Sequence, residues 1–322
     1  MPEKRMPKHC LSVDVEDYFH VAAFRNSVQI ADWGHLPSRV EANTAKVLEL
    51  FVELGVKATF FVLGWVAEKY PEIVRQISHA GHELGCHSFS HQLIYDIGPD
   101  AFRQDTMRAL NAIQQASGER VTLYRAPSFS ITRRSLWALE ILSEAGFTHD
   151  SSIFPIRHDL YGVPDAPPKP FAIRLSSGGQ LIEFPPSTIK FAGVTLPVTG
   201  GGYLRLLPLL YQRKALRVLE RSATPGMVYL HPWELDPGQP RMKAPLRSRF
   251  RHYTGLSRTA SRIRKLSTEF RFAKLTETLP DQLPVFELQI NGEFRSCAGE
   301  SVPAAVGLRS GTEFQEGAKA CL

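Results

Sequence analysis

Two short segments carry side chains that could bind a metal ion and move a proton. Three acids, Asp14, Glu16 and Asp17, stand close together where a short apolar run ends. Much later in the chain, His87 and His91 are four residues apart. Carboxylates and imidazoles are ligands for a divalent cation, and a further carboxylate beside it can act as a base. The two segments together predict such a site.

Three more polar clusters follow along the chain, namely Arg125-Ala126-Pro127-Ser128, Asp150-Ser151-Ser152 and His231-Pro232-Trp233-Glu234. Each has an ordinary structural explanation. The arginine can anchor a loop, Asp150 can cap a helix, and a single histidine is usually structural. A pair of histidines four apart is also common on helix surfaces. All the clusters lie at ends of predicted strands, however. Their occurrence together, in this order along the chain, favours one shared site.

The elements that must position these residues alternate between strand and helix. Strands are predicted over residues 10–15, 58–63, 82–86, 122–125, 148–150, 180–184 and 227–231. Helices are predicted over residues 39–54, 71–80, 99–117, 136–145 and 208–222. Repeating βα units of this kind indicate an α/β fold, a (β/α) barrel, in which the carboxyl ends of all strands meet on one face. Residues far apart in the sequence can therefore meet there.

The composition is that of a globular protein. The chain has 322 residues, of which 43% are hydrophobic and 22% charged, enough for one large domain or two ordinary ones. No apolar segment follows the charged residues 1–10, and the longest apolar run, residues 58–67, is too short to span a bilayer. We therefore expect a cytoplasmic protein without a transmembrane segment. The four cysteines have no paired spacing, which argues against a disulfide framework.

The net charge of +6 is unevenly distributed. Between Arg241 and Lys274 there are eleven bases and a single acid, Glu269. Such a block suggests a polyanionic partner, and its ordinary explanation is a solvated helix face. It contains no motif that reads nucleic acid, so we expect no nucleic-acid partner.

The ordered set of motifs resembles a known family. His87-Ser-Phe-Ser-His91, Thr59-Phe-Phe-Val62 and Gly81-His-Glu-Leu-Gly85 are similar to motifs of the polysaccharide deacetylases, the nodulation-protein-B homology domain of carbohydrate esterase family 4. The resemblance runs from about residue 10 to residue 233. It implies a distorted (β/α) barrel, a divalent metal held by one acid and two histidines, and metal-assisted hydrolysis of the amide of N-acetyl sugars.

Further segments resemble one subgroup, the deacetylases associated with exosortase-type exopolysaccharide systems. These are residues 12–20, 125–130, 150–155, 200–208 and the basic stretch that begins at Arg249. The resemblance implies a deacetylase domain over residues 1–280, with a subgroup-specific basic helical extension at about 235–280. Residues 281–322 are expected to form a loosely ordered tail.

The resemblance also implies roles for the metal site. The family's first motif usually has two adjacent aspartates, whereas here Asp14 is separated from Glu16 by Val15. This spacing resembles the intracellular branch of the family and makes Asp14 the base and Glu16 the metal ligand, together with His87 and His91. Asp17 remains the alternative ligand. Zinc ranks first, with cobalt and nickel not separated by sequence.

The other motif residues receive roles in the same way. Arg125 would hold Asp14 ionised, and the backbone N–H of Ser128 would face the oxyanion. His231 would protonate the leaving amine, with Asp150 orienting it. The remaining two, Tyr203 and Trp233, would stack on a sugar ring or pack in the core.

The function implied is an N-deacetylase for an N-acetylated amino sugar in exopolysaccharide biosynthesis. The substrate is a polysaccharide or its lipid- or nucleotide-linked precursor, and the basic block suggests that it is anionic. One alternative is an amidase on the same barrel that cleaves cyclic amides or imides. The other is an inactive barrel that binds glycan. The oligomeric state stays open.

Overall fold

The computed structural model describes residues 7–304 of the chain. The strands in this range are β1 (His9–Val15), β2 (Thr59–Val62), β3 (Glu83–Cys86), β4 (Leu123–Tyr124), β5 (His149–Asp150), β6 (Phe171–Arg174), β7 (Gln180–Glu183), β8 (Thr188–Phe191), β9 (Val194–Pro197), β10 (Met227–Leu230), β11 (Phe272–Ala273), β12 (Gln282–Leu288) and β13 (Phe294–Pro303). The α-helices are α1 (Val40–Leu54), α2 (Gly64–Lys69), α3 (Pro71–His79), α4 (Ile94–Ser117), α5 (Trp137–Glu144), α6 (Gly201–Leu206), α7 (Leu209–Arg221), α8 (Leu246–Tyr253), α9 (Thr259–Ser267) and α10 (Leu275–Thr278).

The centre of the fold is a run of parallel strands in the order β10-β1-β2-β3-β4-β5-β7. Every residue of β1, β2 and β10 is buried. Strands that are covered on both faces are typical of parallel sheets whose crossover helices pack outside. The predicted strands and helices are found close to their expected bounds, and the predicted α/β fold is confirmed.

The ring of strands is not closed by backbone hydrogen bonds within the described range. Beyond β7 the sheet continues through antiparallel β6 to β12 and β13. Across the opening, the backbone N–H of Met227 in β10 donates to Ser187 Oγ at 2.6 Å. A side chain therefore bridges the place where a regular barrel would have a backbone ladder.

Amphipathic helices cover the outside of the parallel strands. Helix α1 buries Val40, Val47 and Phe51, and α3 buries Ile73 and Ile77, whereas their other faces are exposed. This is the pattern expected of helices that pack one stripe against a sheet. No helix within residues 7–304 combines the length and the apolar composition that crossing a bilayer would require.

The carboxyl-terminal part differs from the loosely ordered tail expected for residues 281–322. Strands β12 and β13 form an antiparallel hairpin, and β12 pairs with β6 in parallel. Leu283 and Val285 are buried while Pro284 between them is exposed. This alternation buries one face of β12, so the expectation was wrong for residues 282–303. Residues 305–322 lie outside the described range.

The basic block does not form a single surface. Arg262 Nη1 donates to the carbonyl oxygens of Leu204 and Leu207 at the end of α6, and Arg264 forms an ion pair with Glu53 on α1. Helix α9 is therefore packed against the domain through its bases. The bases of α8 are exposed and do not take part in such contacts within residues 7–304.

Candidate active site

Four of the five polar clusters, all except Asp150-Ser151-Ser152, contribute side chains to one cleft of about 330 Å³ at the carboxyl ends of the parallel strands. The end of β1 supplies Asp14 and Glu16, and β3 and β10 are followed by His87 and His231. Parallel strands place their carboxyl ends on the same face. This explains how residues so distant in sequence line one cavity.

Glu16, His87 and His91 form a compact donor set. One possible ligand atom from each of these buried residues lies within 4.8 Å of the others. Oε2 of Glu16 is 2.7 Å from Nε2 of His91. One carboxylate and two imidazoles form a donor set found in catalytic zinc sites, so the residues fit a divalent cation.

The protonation of His87 also fits a metal ligand. Its Nδ1–H donates to the backbone oxygen of Arg125 at 2.7 Å, which leaves Nε2 as the free ring nitrogen. Burial lowers the pKa of His87 to about 4, so the ring is neutral at neutral pH. A backbone carbonyl on the far nitrogen is the usual way of fixing the tautomer of a metal-binding histidine.

Glu16 is held as a carboxylate. Burial alone would raise its pKa, but the neighbouring His91, His231 and His87 outweigh burial and bring the pKa below the usual range. Nε1 of Trp233 donates to Oε1 of Glu16 at 3.1 Å. This contact leaves Oε2 on the side of His91.

Asp17, the alternative ligand, has a different task. Its Oδ2 accepts hydrogen bonds from Ser38 Oγ at 2.8 Å and from the backbone N–H groups of Arg39 and Val40 at 2.7 and 3.1 Å. It therefore satisfies N–H groups at the start of α1. The structure places Asp17 outside the donor set, and the geometry favours Glu16.

Asp14 is fixed by a buried arginine. Nη1 of Arg125 donates to Asp14 Oδ1 at 2.6 Å and to Ser12 Oγ at 3.0 Å. Arg125 is fully buried, and a hydrogen bond from a guanidinium to a carboxylate is charge-assisted and strong. The second oxygen, Oδ2, is 3.8 Å from His231 Nε2 and faces the cleft.

His231 is oriented by Glu234, three residues later. Its Nδ1 lies 2.6 Å from Oε1 of Glu234, and both residues belong to the turn around the 3₁₀ helix Pro232–Leu235. Burial would lower the pKa of His231, but Glu234, Glu16 and Asp14 outweigh it and raise the pKa to about 9. The imidazole is thus protonated at neutral pH, the state that a general acid requires.

A buried arginine holds Glu234 in turn. Nε of Arg205 donates to Glu234 Oε2 at 2.9 Å. The other guanidinium nitrogens donate to backbone oxygens of the extension, at 2.9 Å to Arg251 and 2.9 Å to His252. Neither Arg205 nor Glu234 received a role from the sequence. The three-residue spacing of His231 and Glu234 could have indicated their contact, because residues three apart meet on a helical turn.

Asp150, to which the sequence analysis gave the orienting role, does not contact His231. Its Oδ1 accepts a hydrogen bond from Ser152 Oγ at 2.5 Å, and Ser152 Oγ accepts from Ala126 N–H at 2.8 Å. Burial raises the pKa of Asp150 to about 6. Burial and the neighbouring Asp150 raise the pKa of Glu183 well above its usual value. Asp150 supports the loop that begins at Ala126.

That loop carries Ser128, which lines the cleft. Ser128 has φ 52° and ψ 28°, a left-handed conformation that is uncommon for a residue other than glycine. Ser88 and His91 in the histidine loop also have positive φ, 61° and 49°. Strained backbone of this kind persists where the surroundings hold it, often at functional sites.

The histidine loop is held from α4. Oδ2 of Asp105 accepts the backbone N–H of Phe89 at 2.7 Å, and Oδ1 accepts that of Ser90 at 3.0 Å. Ser88 Oγ is 2.6 Å from the hydroxyl of Tyr124 in β4. Asp105 was missed by sequence reasoning because its distance along the chain gives no indication of this contact.

The two aromatic residues expected at a sugar ring have different surroundings. Trp233 is only 4% exposed and stacks on His231 and His252, with ring centroids 4.9 and 4.2 Å away. This burial favours the packing alternative for Trp233, which also lines the cleft. Tyr203 is partly exposed and lines the cleft, where its hydroxyl is 3.1 Å from that of Tyr161.

Comparison with known proteins gives two adjacent family matches. Residues 32–149 match the family described as polysaccharide deacetylase, and residues 151–280 match a domain of unknown function. The candidate site extends over both matches and the segment before them. His87, His91 and Arg125 lie in the first and His231 in the second, whereas Asp14 and Glu16 precede both.

Curated relatives match part of the chain. A peptidoglycan-N-acetylglucosamine deacetylase of Bacillus cereus is 35% identical over 98 residues, which are 30% of this chain and 36% of the relative. A chitooligosaccharide deacetylase of Sinorhizobium fredii is 31% identical over 101 residues, 31% of this chain and 44% of the relative. The matched segments thus span less than half of these relatives.

One solved structure supports the fold over most of the chain. It is described as a putative polysaccharide deacetylase from Mycobacterium smegmatis and is 20% identical to this chain. The superposition covers 85% of this chain and 88% of the M. smegmatis chain, with a TM-score of 0.54. At this identity the likeness concerns the fold. Motifs and fold agree with the match of residues 32–149 to the polysaccharide deacetylase family.

Proposed function

We propose that this protein is a metal-dependent N-deacetylase that hydrolyses the acetamide of an N-acetylated amino sugar to acetate and a free amine. The observation that carries the proposal is the placement of a carboxylate and a protonated imidazole on the same cleft as the donor set. Asp14 and His231 both line the cleft with Glu16, His87 and His91. Amide hydrolysis needs a base for water and an acid for the amine, and the cleft offers both.

Glu16, His87 and His91 would hold the metal. A divalent cation bound there would polarise the amide oxygen and lower the pKa of water. Zinc is the first choice because the donors are one carboxylate and two imidazoles, and cobalt and nickel accept the same donors. These three side chains are buried, so they would present the cation from the floor of the cleft.

Asp14 would act as the base. Its Oδ1 is engaged by Arg125, which leaves Oδ2 to accept a proton from the attacking water. Arg125 fixes the direction of this carboxylate and compensates its charge without reaching the cleft itself, because Arg125 is fully buried. The carbonyl carbon then gains the water oxygen, and negative charge develops on the amide oxygen.

Ser128 and His231 would complete the reaction. Among residues 7–304, no acceptor hydrogen-bonds to the backbone N–H of Ser128, which makes it available to the developing oxyanion. His231 would give its proton to the nitrogen as the carbon–nitrogen bond breaks. Glu234 compensates the charge on the imidazole and fixes its tautomer.

The substrate we propose is an N-acetylated sugar in a glycan or in its lipid- or nucleotide-linked precursor. Relatives are named for peptidoglycan and chitooligosaccharide. The partly exposed Tyr203 and Tyr161 line the cleft and offer ring faces for a sugar. Arg251 also lines it and would favour an anionic substrate. A role in exopolysaccharide biosynthesis rests on the sequence resemblance to that subgroup.

The test is release of acetate and amine from a panel of N-acetylated oligosaccharides, lipid-linked sugars and a cyclic imide. The protein is assayed after chelation and after addition of zinc, cobalt or nickel. We expect turnover of an N-acetylated sugar that needs added metal and that falls by about 10² to 10⁴ in Asp14→Asn. Full activity after exhaustive chelation, or turnover of the cyclic imide alone, would contradict the proposal.

A further inference from the structure

Helix α8 presents an unusual surface. It runs from Leu246 to Tyr253. Its outer side carries two large apolar residues, Leu246, which is 81% exposed, and Phe250, which is 62% exposed. They are four residues apart, so they lie on the same face of the helix. Large apolar side chains this exposed usually mark an interaction surface when they are grouped.

Arginines flank this apolar stripe on both sides. At 3.6 residues per turn, Arg247 and Arg251 fall on one side of Leu246 and Phe250, and Arg249 falls on the other. All three are exposed, and within residues 7–304 none of them forms an ion pair with a carboxylate. From Arg241 to Arg258 the sequence has six bases and no acid.

The opposite face of α8 is fixed to the domain. His252 is buried against Trp233 and Phe24, with ring centroids 4.2 and 4.8 Å away. The backbone oxygen of Arg251 accepts a hydrogen bond from Arg205 at 2.9 Å. The helix is therefore held with its apolar stripe outward and cannot turn that stripe into the core.

We propose that α8 docks this protein onto the surface of an anionic phospholipid bilayer, with Leu246 and Phe250 inserted among the acyl chains and the arginines on lipid headgroups. An apolar stripe between bases is the pattern of helices that lie in a membrane interface, and anionic lipids attract basic residues. The exposed side chains of α8 are apolar residues and arginines, and residues 241–258 contain no acid, which suits an anionic bilayer.

The docked orientation would bring the cleft to the membrane. Ser248 and Arg251 of α8 line the cleft, as do the exposed Leu206 and Leu160. The cleft therefore opens beside the docking stripe. A sugar on a membrane-bound carrier would reach it without leaving the bilayer surface, although docking itself does not depend on the proposed activity.

Vesicle flotation with the full chain tests this inference. The vesicles are phosphatidylcholine alone or phosphatidylcholine mixed with phosphatidylglycerol. We expect binding to the mixed vesicles and little to the neutral ones. Leu246→Ser/Phe250→Ser should weaken partitioning by at least about tenfold because buried apolar area is lost. Arg247→Gln/Arg249→Gln should weaken it by about 25-fold, at about fivefold for each of the two charges.

The matched control is Val52→Ser on α1, where Val52 is 72% exposed and lies outside the patch. It should bind vesicles like the unmodified protein. Circular dichroism and melting temperature confirm that each variant folds, and hydrolysis of a soluble substrate by Leu246→Ser/Phe250→Ser should be unchanged. Absence of binding to the mixed vesicles would overturn the inference. So would binding that needs the arginines but not Leu246 and Phe250, because the protein would then be attracted to the charged bilayer surface without inserting side chains.

Discussion

At the scale of single residues, neighbouring acids have different tasks. Glu16 points to His91, Asp14 is held by Arg125, and Asp17 accepts N–H groups at the start of α1. Side chains alternate in direction along β1, and the chain turns after it, so the three carboxylates are directed to different neighbours. Acids within four positions of one another can therefore be distinguished by experiment.

The first prediction compares substitutions at these three acids. Glu16→Gln should lose bound metal and activity, because a ligand charge is removed. Asp14→Asn should keep the metal while kcat falls by about 10² to 10⁴, the usual contribution of a general base. Asp17→Ala should keep both but lower the free energy of unfolding by about 1–2 kcal/mol through loss of the cap. Metal analysis, kinetics and urea unfolding measure the three quantities.

Metal loss in Asp17→Ala with metal retained in Glu16→Gln would show that the ligand assignment is reversed.

The second prediction concerns the acid behind His231. Glu234→Gln should leave metal content unchanged and lower kcat by roughly 10³ without a comparable change in KM, because the imidazole loses its charge partner and its fixed tautomer. Asp150→Asn is the matched comparison. Asparagine still accepts the hydrogen bond from Ser152, so kcat should fall by at most about tenfold. A larger loss in Asp150→Asn than in Glu234→Gln would restore the role first expected for Asp150.

At the scale of elements, loops after the strands are held by side chains from neighbouring helices. Asp105 on α4 accepts two backbone N–H groups of the histidine loop, where Ser88 and His91 have positive φ. Arg205 on α6 connects Glu234 with the backbone in the last turn of α8. The helices therefore fix the strained loops as well as cover the strands.

The third prediction tests the support from α4. Asp105→Ala should weaken metal affinity by about 10- to 100-fold, as loss of a residue that orients metal ligands typically does. Asp100→Ala, at an exposed position of the same helix, is the control and should bind metal normally. Titration with zinc by calorimetry gives both affinities. Equal zinc affinities of Asp105→Ala and Asp100→Ala would mean that the histidine loop keeps its conformation without Asp105.

The fourth prediction concerns the carboxyl-terminal hairpin. Leu283 on β12 is fully buried, so Leu283→Ala should lower the free energy of unfolding by about 2–4 kcal/mol. Arg295→Ala on the exposed side of β13 should change it little. Activity of the folded Leu283→Ala protein should persist because the hairpin is on the far side of β6 from the cleft strands. Urea unfolding measures the difference, and equal stabilities would contradict an ordered hairpin in solution.

At the scale of the whole molecule, several buried histidines couple stability to pH. Burial lowers the pKa of His9, His82 and His149 to about 4. Nδ1 of His82 accepts the backbone N–H of Ala58 at 3.1 Å, which requires the neutral ring. Folding therefore favours neutral histidine, whereas the unfolded chain is protonated below its ordinary pKa of about 6.5.

The fifth prediction follows from the sign of this difference. Between pH 6.5 and pH 4 the unfolded state binds more protons, so the free energy of unfolding rises with pH in this window. The stabilisation is complete above about pH 6.5 and is lost as the pH falls toward 4. His82→Gln should flatten the slope, while His79→Gln, exposed on α3, should not. Urea unfolding at a series of pH values tests this, and an unchanged slope in His82→Gln would contradict it.

The sequence by itself determined the class of fold and most of the candidate site. The alternation of apolar strands with amphipathic helices predicted the parallel strands, because burial on both faces requires continuous apolar residues. Polar residues at strand ends predicted convergence, because parallel strands share a carboxyl-terminal face. Asp14, Glu16, His87, His91 and His231 were found in this way, and the structure brings all of them to one cleft.

Only the tertiary structure decided which acid supports His231, how Asp17 is used and where the basic residues point. Glu234, Arg205 and Asp105 act through contacts between elements, and spacing along the chain does not encode the distances across such contacts. The eleven bases of the basic block look alike in sequence. Packing ties α9 to the domain through Arg262 and Arg264 and leaves the α8 face exposed, because burial of a helix face depends on the neighbours that the fold supplies.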